Sequence, residues 1–316
     1  MSKMFYKSTS LTNIDTSGFD TSKVVNMNGM FTGCTNLKTL DVSNFKTSKV
    51  TDMNNMFEDC SSLTTLDLSN FDTSNVLYMG NPYSYGYGGM FRNCSSLINL
   101  NISSFNTSKV KYMSNMFHGC SSLVTLDLSN FDTSNVTAMA SMFGKCTSLK
   151  NLNLSSFNTS KVTDMDSMFM NCKSLADLNL SSFNTSSVQT FKQMFFNCSS
   201  LVNLDLSGFD TSNAISMWHM FSGSSNLETL DLSNFTTSKL ETTYFMFYNC
   251  SKLKTIYVSN EWVTTSLKTS SGMFTNCSSL IGTSPEGITT KYDSTKIDAT
   301  MANYTTGYLT YKKNTN

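Results

Sequence analysis

Nine cysteines recur at one position of a repeating pattern, which raises the question of disulfide or metal chemistry. Most are 26 residues apart, and they are Cys34, Cys60, Cys94, Cys120, Cys146, Cys172, Cys198, Cys250 and Cys277. Equivalent positions of stacked repeats lie side by side, and parallel side-chain vectors are poorly suited to the torsion of a disulfide. The sequence has no C-x-x-C pair, the spacing typical of zinc sites. We therefore predict free, buried thiols and no metal site, and Ser224 occupies the missing place in the series.

A second repeated position carries mostly aspartate or asparagine. Its members are Asp15, Asp41, Asp67, Asn101, Asp127, Asn153, Asn179, Asp205, Asp231 and Tyr257. Carboxylate and amide oxygens are typical calcium ligands, and carboxylates about 5 Å apart on adjacent strands would repel one another without a cation. The mixture of Asp with Asn, flanked by Thr and Ser, favours a plain ladder of hydrogen bonds. We therefore expect no cofactor, with calcium as the alternative.

Composition argues against several classes of protein. General acid–base catalysis usually draws on histidine, but the chain has only His118 and His219, at different positions of the repeat. No Ser/His/Asp set or phosphate-binding loop accompanies them, so we expect no enzyme. The 22 basic residues balance 22 acidic ones, and a formal net charge of zero argues against nucleic-acid binding. Without a run of eighteen apolar residues, we expect no membrane insertion.

The stretch GNPYSYGYGG, residues 80–89, interrupts the pattern with eight extra residues near 81–88 and concentrates tyrosine and glycine. Tyrosine rings on a loop give amphipathic contact area at a low entropic cost and can stack on sugars. We predict ligand contacts through Tyr78, Tyr83, Tyr85 and Tyr87. The alternative is a tolerated surface insertion. Trp218 and Tyr244, which replace polar residues of other repeats, are secondary candidates.

A 26-residue repeat must position these side chains, with the consensus C-S-S-L-x-x-L-x-L-S-x-F-x-T-S-x-V-x-x-M-x-x-M-F-x-x. Leu40 and Val42 alternate with polar residues, which predicts a short strand with one buried face. Val50, Met53 and Met56 follow at intervals of three, which predicts a short α- or 3₁₀-helical segment. One repeat cannot bury its apolar face alone, so we predict a leucine-rich-repeat-like solenoid of about ten coils, with parallel strands.

The 26-residue period divides the chain into two regions. Residues 1–277 are expected to form the solenoid. Residues 278–316 lose the period, and we predict that they form a C-terminal cap, because terminal repeats must cover the open end of the core.

The motif L-x-x-L-x-L-S-x-F resembles the strand segment of leucine-rich repeats. Its longer form, LTTLDLSNFDTSNV followed by M-x-x-M-F-x-x-C, resembles the 26-residue repeat of bacterial surface proteins. That repeat is grouped with BspA-like leucine-rich repeats and with a repeat domain of Mycoplasma lipoproteins. The resemblance covers residues 4–280 and implies a secreted or wall-attached adhesin or host-interaction protein. It implies no particular ligand, because such repeats share no binding residues.

These observations predict a non-enzymatic, extracellular recognition or adhesion module. Its expected ligand is a host or bacterial surface protein or glycan, bound by the loop and by the strand-face residues Thr39, Asp41, Thr65, Asp67, Asn99, Asn101, Thr125 and Asp127. The export signal and anchor are expected outside this sequence, and the molecule is expected to be monomeric or to associate end to end. The alternatives are a structural spacer of a surface protein and the receptor-binding module of a phage-like particle.

Overall fold

The chain folds into two compact units, Met1–Lys161 and Val162–Asn316. The computed structural model describes residues 1–82 and 88–313. In both units the backbone winds into coils of 26 residues, and N–H groups of one coil bond to carbonyl groups of the next, as Met27 N–H does to Asp52 O at 2.9 Å. Each unit is therefore a stack of repeats.

Short parallel strands mark the first part of the coils. Within the described residues the strands of the coils are β1 (Thr65–Asp67) and β2 (Asn99–Asn101) in the first unit, and β3 (Asp177–Asn179), β4 (Asn203–Asp205), β5 (Thr229–Asp231), β6 (Thr255–Val258) and β7 (Ile281–Thr283) in the second. Two further strands, β8 (Thr289–Lys291) and β9 (Thr310–Tyr311), follow in the last segment of the chain. β1 pairs with β2, β3 with β4 and β5 with β6, each in parallel with equivalent repeat positions opposite one another. The predicted leucine-rich-repeat-like solenoid is confirmed. At 39–41 the same alternation of exposed and buried side chains occurs without a strand.

A series of turns occupies the part of each coil where a helix was predicted. Met56 N–H bonds to Met53 O at 3.2 Å, three residues back, but Phe57 N–H bonds to Met90 O of the next coil at 2.9 Å. Because alternate N–H groups leave the segment, the i to i−4 ladder of an α-helix cannot form. The prediction of a helical segment in each coil is wrong, and the one 3₁₀ helix in the described part of the chain is Ala299–Met301.

Left-handed residues explain why these turns do not continue into a helix. Asn55 and Asp59 have φ angles of 61° and 59°, and Asn115 has 59° at the place equivalent to Asn55. Asparagine and aspartate adopt this conformation more readily than most residues. The spacing of three therefore records which side chains point into the core, and it carries no information about where the N–H groups bond.

The repeated apolar positions form the core of each unit. Met53, Phe57 and Cys60 are completely buried, and the phenylalanine rings stack between coils. Phe57 lies 5.9 Å from Phe31 and 5.8 Å from Phe91, with the rings almost parallel. Such pairs contribute about 0.5–1.5 kcal/mol beyond the burial of their area, so a column of rings stabilises the register of the coils.

The threonine of each Thr-Ser pair joins neighbouring coils. Thr133 is 1% exposed, and its Oγ1 donates to Asn158 O at 2.9 Å and accepts from Asn158 N–H at 2.8 Å. The same pair of bonds recurs at Thr21, Thr73, Thr185, Thr211 and Thr237. A buried hydroxyl therefore links two backbone groups that have no ladder partner.

The last segment of the chain adds to the sheet of the second unit. β9 lies between β6 and β7, parallel to both, and β8 pairs with β7 in the antiparallel sense. Tyr308 is fully buried and packs edge-on against Phe274 at 5.4 Å, and Trp262 Nε1 donates to Ala302 O at 3.1 Å. We propose that this segment is the cap of the solenoid.

Candidate functional site

The strand face of the first unit forms an open groove of about 750 Å³. The structure brings all eight strand-face residues of the sequence prediction to it: Thr39, Asp41, Thr65, Asp67, Asn99, Asn101, Thr125 and Asp127. These side chains are exposed. Ile98, which is 55% exposed, also lines the groove, so polar groups and an apolar side chain share one surface.

Aspartates of the groove bond within their own coil. Asp67 Oδ1 accepts from Ser69 N–H at 2.9 Å, and the same turn recurs in the pairs Asp41–Ser43 and Asp127–Ser129. Hydrogen bonds from the serine N–H and hydroxyl lower the pKa of these three carboxyls. They are ionised at neutral pH and give the groove a negative charge. A turn inside each coil therefore explains the repetition of Asp and Asn at this position.

The cysteine column is a row of buried hydrogen-bond donors. All nine cysteines are free and buried, and Cys120 Sγ donates to Phe91 O at 3.1 Å. Ser224, at the equivalent position of another coil, donates its hydroxyl to Phe195 O at 2.8 Å. Burial raises the pKa of the Cys198 thiol to about 12. A thiol with such a pKa is not a nucleophile near neutral pH.

We expect Cys120→Ser to retain more stability than Cys120→Ala, because serine makes the equivalent bond at position 224. The serine variant should lose less than about 1 kcal/mol, and the alanine variant about 1–3 kcal/mol, because it loses the donor and leaves a small cavity. Urea unfolding of both variants measures the difference. The reverse order would show that the sulfur atom acts through packing rather than as a donor.

The insertion leaves its coil through a short antiparallel stem. Gly80 pairs with Gly89, and Met90 N–H bonds to Met79 O at 2.9 Å, the bond that closes the equivalent turn of other coils. A Cβ atom on Gly89 would lie 2.1 Å from Asn115 O. The stem glycines are therefore required by the close approach of the neighbouring coil.

One of the four predicted loop tyrosines lies in the described part of the chain. Tyr78 is half-buried at the start of the insertion and stacks on Tyr112 of the next coil, with ring centroids 5.5 Å apart and planes 14° apart. Tyr83, Tyr85 and Tyr87 lie outside the described residues. Tyr78 and Tyr112 occupy the same position of the repeat, since Val76-x-x-Met79 aligns with Val110-x-x-Met113 once the eight inserted residues are set aside.

The secondary candidates Trp218 and Tyr244 come together in the second unit. Both rings contact His219, at centroid distances of 5.1 and 6.0 Å. Phe245 lies 4.2 Å from Tyr244. Sequence analysis did not single out Phe245, although its position carries asparagine in other coils.

Within residues 1–82 and 88–313, no three His, Cys, Asp or Glu side chains are arranged so that they could hold a metal ion. None of the helices in these ranges is long and apolar enough to span a lipid bilayer.

A family model described as "Mycoplasma protein of unknown function, DUF285" matches residues 1–87, 85–200 and 174–284. The chain belongs to the DUF285 family. No curated protein matches it. The repeats and the membership in DUF285 support a protein-binding or structural repeat module.

Two solved structures resemble the DUF285 chain at low identity. The functional domain of InlJ from Listeria monocytogenes, which includes a cysteine ladder, is 17% identical over 86% of this chain and 53% of its own, with a TM-score of 0.18. TLR13 in its complex with ssRNA13 is 16% identical over 88% of this chain and 46% of its own, also with a TM-score of 0.18. The DUF285 chain thus spans about half the length of each.

Proposed function

We propose that this DUF285 chain is a non-enzymatic recognition module that binds a protein or glycan on a host or bacterial cell surface. The observation that carries the proposal is the groove of the first unit, in which eight exposed polar side chains from four successive coils line one surface. A surface that repeats with the coils can bind a ligand at several points, so weak contacts add up.

The negative charge of the groove favours a basic polypeptide among these ligands. The carboxylates of Asp41, Asp67 and Asp127 are ionised at neutral pH, and the apolar side chain of Ile98 lies among them. An extended polypeptide with basic and apolar side chains would complement such a mixture of groups. The Tyr-rich insertion would add a contact through Tyr78 and through the three tyrosines that follow it.

The chain would act outside the cell, as part of a surface protein and without a cofactor. A formal net charge of zero does not favour nucleic acid as a partner. The chain would be a monomer or would associate end to end.

A structural spacer is the second candidate, and one observation favours it. Much of the repeated polar pattern has a role within the fold, since Asp67 forms a turn with Ser69 and Thr133 joins its coil to Asn158. A spacer needs these bonds and no ligand.

Deletion of residues 81–88 should abolish or weaken binding while the fold is retained. The deletion leaves Met79-Gly80-Gly89-Met90, which restores the Met-x-x-Met spacing of the other coils. Binding of the intact chain and the deletion variant to arrayed surface proteins, glycans and whole bacterial cells measures the effect. We expect at least a tenfold loss, about 1.4 kcal/mol, and an unchanged melting temperature within a few degrees.

A second variant tests the groove. Thr65→Arg with Asn99→Arg places two long cations where small side chains line the groove, and the matched control, Thr229→Arg with Thr255→Arg, alters the strand face of the second unit. Loss of binding only in the first variant supports the groove as the ligand site. If the intact chain binds none of these targets, the spacer is the better description.

A further inference from the structure

Six aromatic side chains meet on one face of the second unit. This aromatic cluster consists of Phe196, Trp218, His219, Tyr244, Phe245 and Tyr248, all half-buried. His219 is at its centre, with ring centroids 5.1 Å from Trp218, 5.2 Å from Phe245 and 5.7 Å from Phe196. Phe245 also lies 5.0 Å from Tyr248. The cluster spans three successive coils and is far in sequence from the groove of the first unit.

The fold does not require aromatic residues at the central positions of the cluster. The two residues between the methionines, occupied here by Trp218 and His219, are Asn54 and Asn55 in one coil of the first unit and Ser114 and Asn115 in another. Those polar residues form the same turn. The aromatic side chains therefore need an explanation other than the solenoid.

The backbone conformation at these positions makes aromatic residues less favourable for the fold than the polar residues of other coils. His219 and Phe245 have φ angles of 55° and 52°, in the left-handed region, which asparagine and histidine adopt more readily than a bulky side chain such as phenylalanine. The strain therefore lies mainly at Phe245. Strain of this kind is concentrated at ligand-binding sites, where a surrounding structure maintains it. Gly272 of the next coil makes room for the Phe245 ring, because a Cβ atom there would lie 2.1 Å from its Cε1.

Unpartnered polar atoms accompany the rings. His219 Nδ1 and Thr275 Oγ1 are buried without a hydrogen-bond partner among the described residues. Thr275 Oγ1 lies 3.1 Å from the same Cβ position of Gly272 that would contact Phe245, so it borders the cluster. Burial lowers the pKa of His219, and its imidazole is neutral at pH 7. Asn55 Oδ1, at the position equivalent to His219, is likewise buried with no partner in the described part of the chain. Such atoms therefore belong to the turn, where each costs free energy, and because they are buried they are not open to a ligand.

We propose that the aromatic cluster is a carbohydrate-binding site for a neutral hexopyranose residue of a cell-surface glycan. The C–H face of a pyranose ring is apolar and packs on aromatic rings, while its hydroxyl groups need both donors and acceptors. The cluster offers rings together with the Trp218 indole N–H and the tyrosine hydroxyls. None of its members carries a carboxylate, ammonium or guanidinium group, which favours a neutral sugar over an anionic one. The site is independent of the groove and of the Tyr-rich insertion.

The test uses the fluorescence of the intact chain. The chain has two tryptophans, and Trp262 is only 4% exposed. A change in tryptophan fluorescence when sugar is added therefore reports on Trp218. Neutral oligosaccharides of glucose, galactose, mannose and N-acetylglucosamine are titrated, and we expect at least one to give a saturable blue shift. Trp218→Phe should remove that shift and keep measurable binding by calorimetry, because the ring face is retained.

The deciding variant restores the ordinary residues of other coils with His219→Asn and Phe245→Asn. We expect its melting temperature to equal or exceed that of the parent, because asparagine relieves the strain, and its sugar affinity to fall at least tenfold. Deletion of residues 81–88 should leave sugar affinity unchanged, which separates this site from the proposed function. The proposal is overturned if no neutral sugar saturates the signal, if the asparagine variant binds sugar as well as the parent, or if only aromatic peptides bind.

Discussion

Thr133→Val is expected to destabilise the chain by about 2–4 kcal/mol, although valine has nearly the same shape as threonine. The hydroxyl of Thr133 both donates to Asn158 O and accepts from Asn158 N–H, and the side chain is 1% exposed. Valine would leave both backbone groups without this partner, and each unsatisfied buried group costs about 1–3 kcal/mol. The apolar surface buried at the site would hardly change.

Thr133→Ser is the matched control, because it keeps the hydroxyl and loses only the methyl group. We expect it to cost about 1 kcal/mol, less than the valine variant. Urea unfolding followed by circular dichroism gives both free energies. A serine variant that is less stable than the valine variant would show that the methyl group, and not the bridge between coils, is the main contribution of this position.

Mild acid is expected to lower the stability of the first unit and to raise that of the second. His118 causes the effect in the first unit. His118 is 7% exposed. Burial, together with the charges of Arg92 and Lys145, lowers its pKa from 6.5 to about 4. Between these values the unfolded chain binds a proton that the folded unit does not, so stability falls as the pH falls from 6.5 to 4. The shift corresponds to at most about 3.5 kcal/mol.

Asp166 gives the second unit the opposite response. It is 6% exposed, and burial together with the neighbouring Asp164 raises its pKa from 3.8 to about 6, although Thr190 Oγ1 and Lys192 N–H donate to it at 3.0 Å. Between pH 3.8 and 6 the folded unit binds a proton that the unfolded chain does not. Its contribution to stability is present below pH 3.8 and is lost as the pH rises through 6.

Two variants separate these effects in melting curves between pH 4 and 7. His118→Gln should be less sensitive to acid than the parent, so the difference in melting temperature between them should grow in favour of the variant as the pH falls. Asp166→Asn should be more stable than the parent at pH 7, by up to about 3 kcal/mol, and this advantage should vanish near pH 4. Parallel melting curves for parent and variant across the range would contradict the corresponding assignment.

The sequence was most informative about side chains that point into the core. The period of 26 and the alternation around Leu40 and Val42 predicted buried columns and a short parallel strand in each coil, because inward-facing residues must repeat wherever coils stack. The buried column is present at Leu40, but the strand occurs only in other coils, as at Thr65–Asp67. The same pattern led to the incorrect prediction of a helix around Met53 and Met56. The periodicity of apolar residues shows only which side chains face the core. Which carbonyl accepts each backbone N–H depends on the position of the neighbouring coil.

The candidate sites were less predictable, for a physical reason. The eight groove residues could be placed on one face because a strand has a period of two. The binding of Asp67 to Ser69 in a local turn depends on backbone angles that the pattern does not contain. His219 and Phe245 could have been recognised, because asparagine at the equivalent positions 55 and 115 indicates a left-handed backbone. The aromatic contacts across three coils still required coordinates.

The stem of the insertion has a practical consequence for protein engineering. Met90 N–H bonds to Met79 O across ten intervening residues, just as Met116 N–H bonds to Met113 O and Met142 N–H to Met139 O across two. Every such turn is thus a potential grafting point, at which a foreign loop can enter with both ends already fixed. A display scaffold built on this chain could present a different loop from each coil, spaced at the natural repeat of the stack.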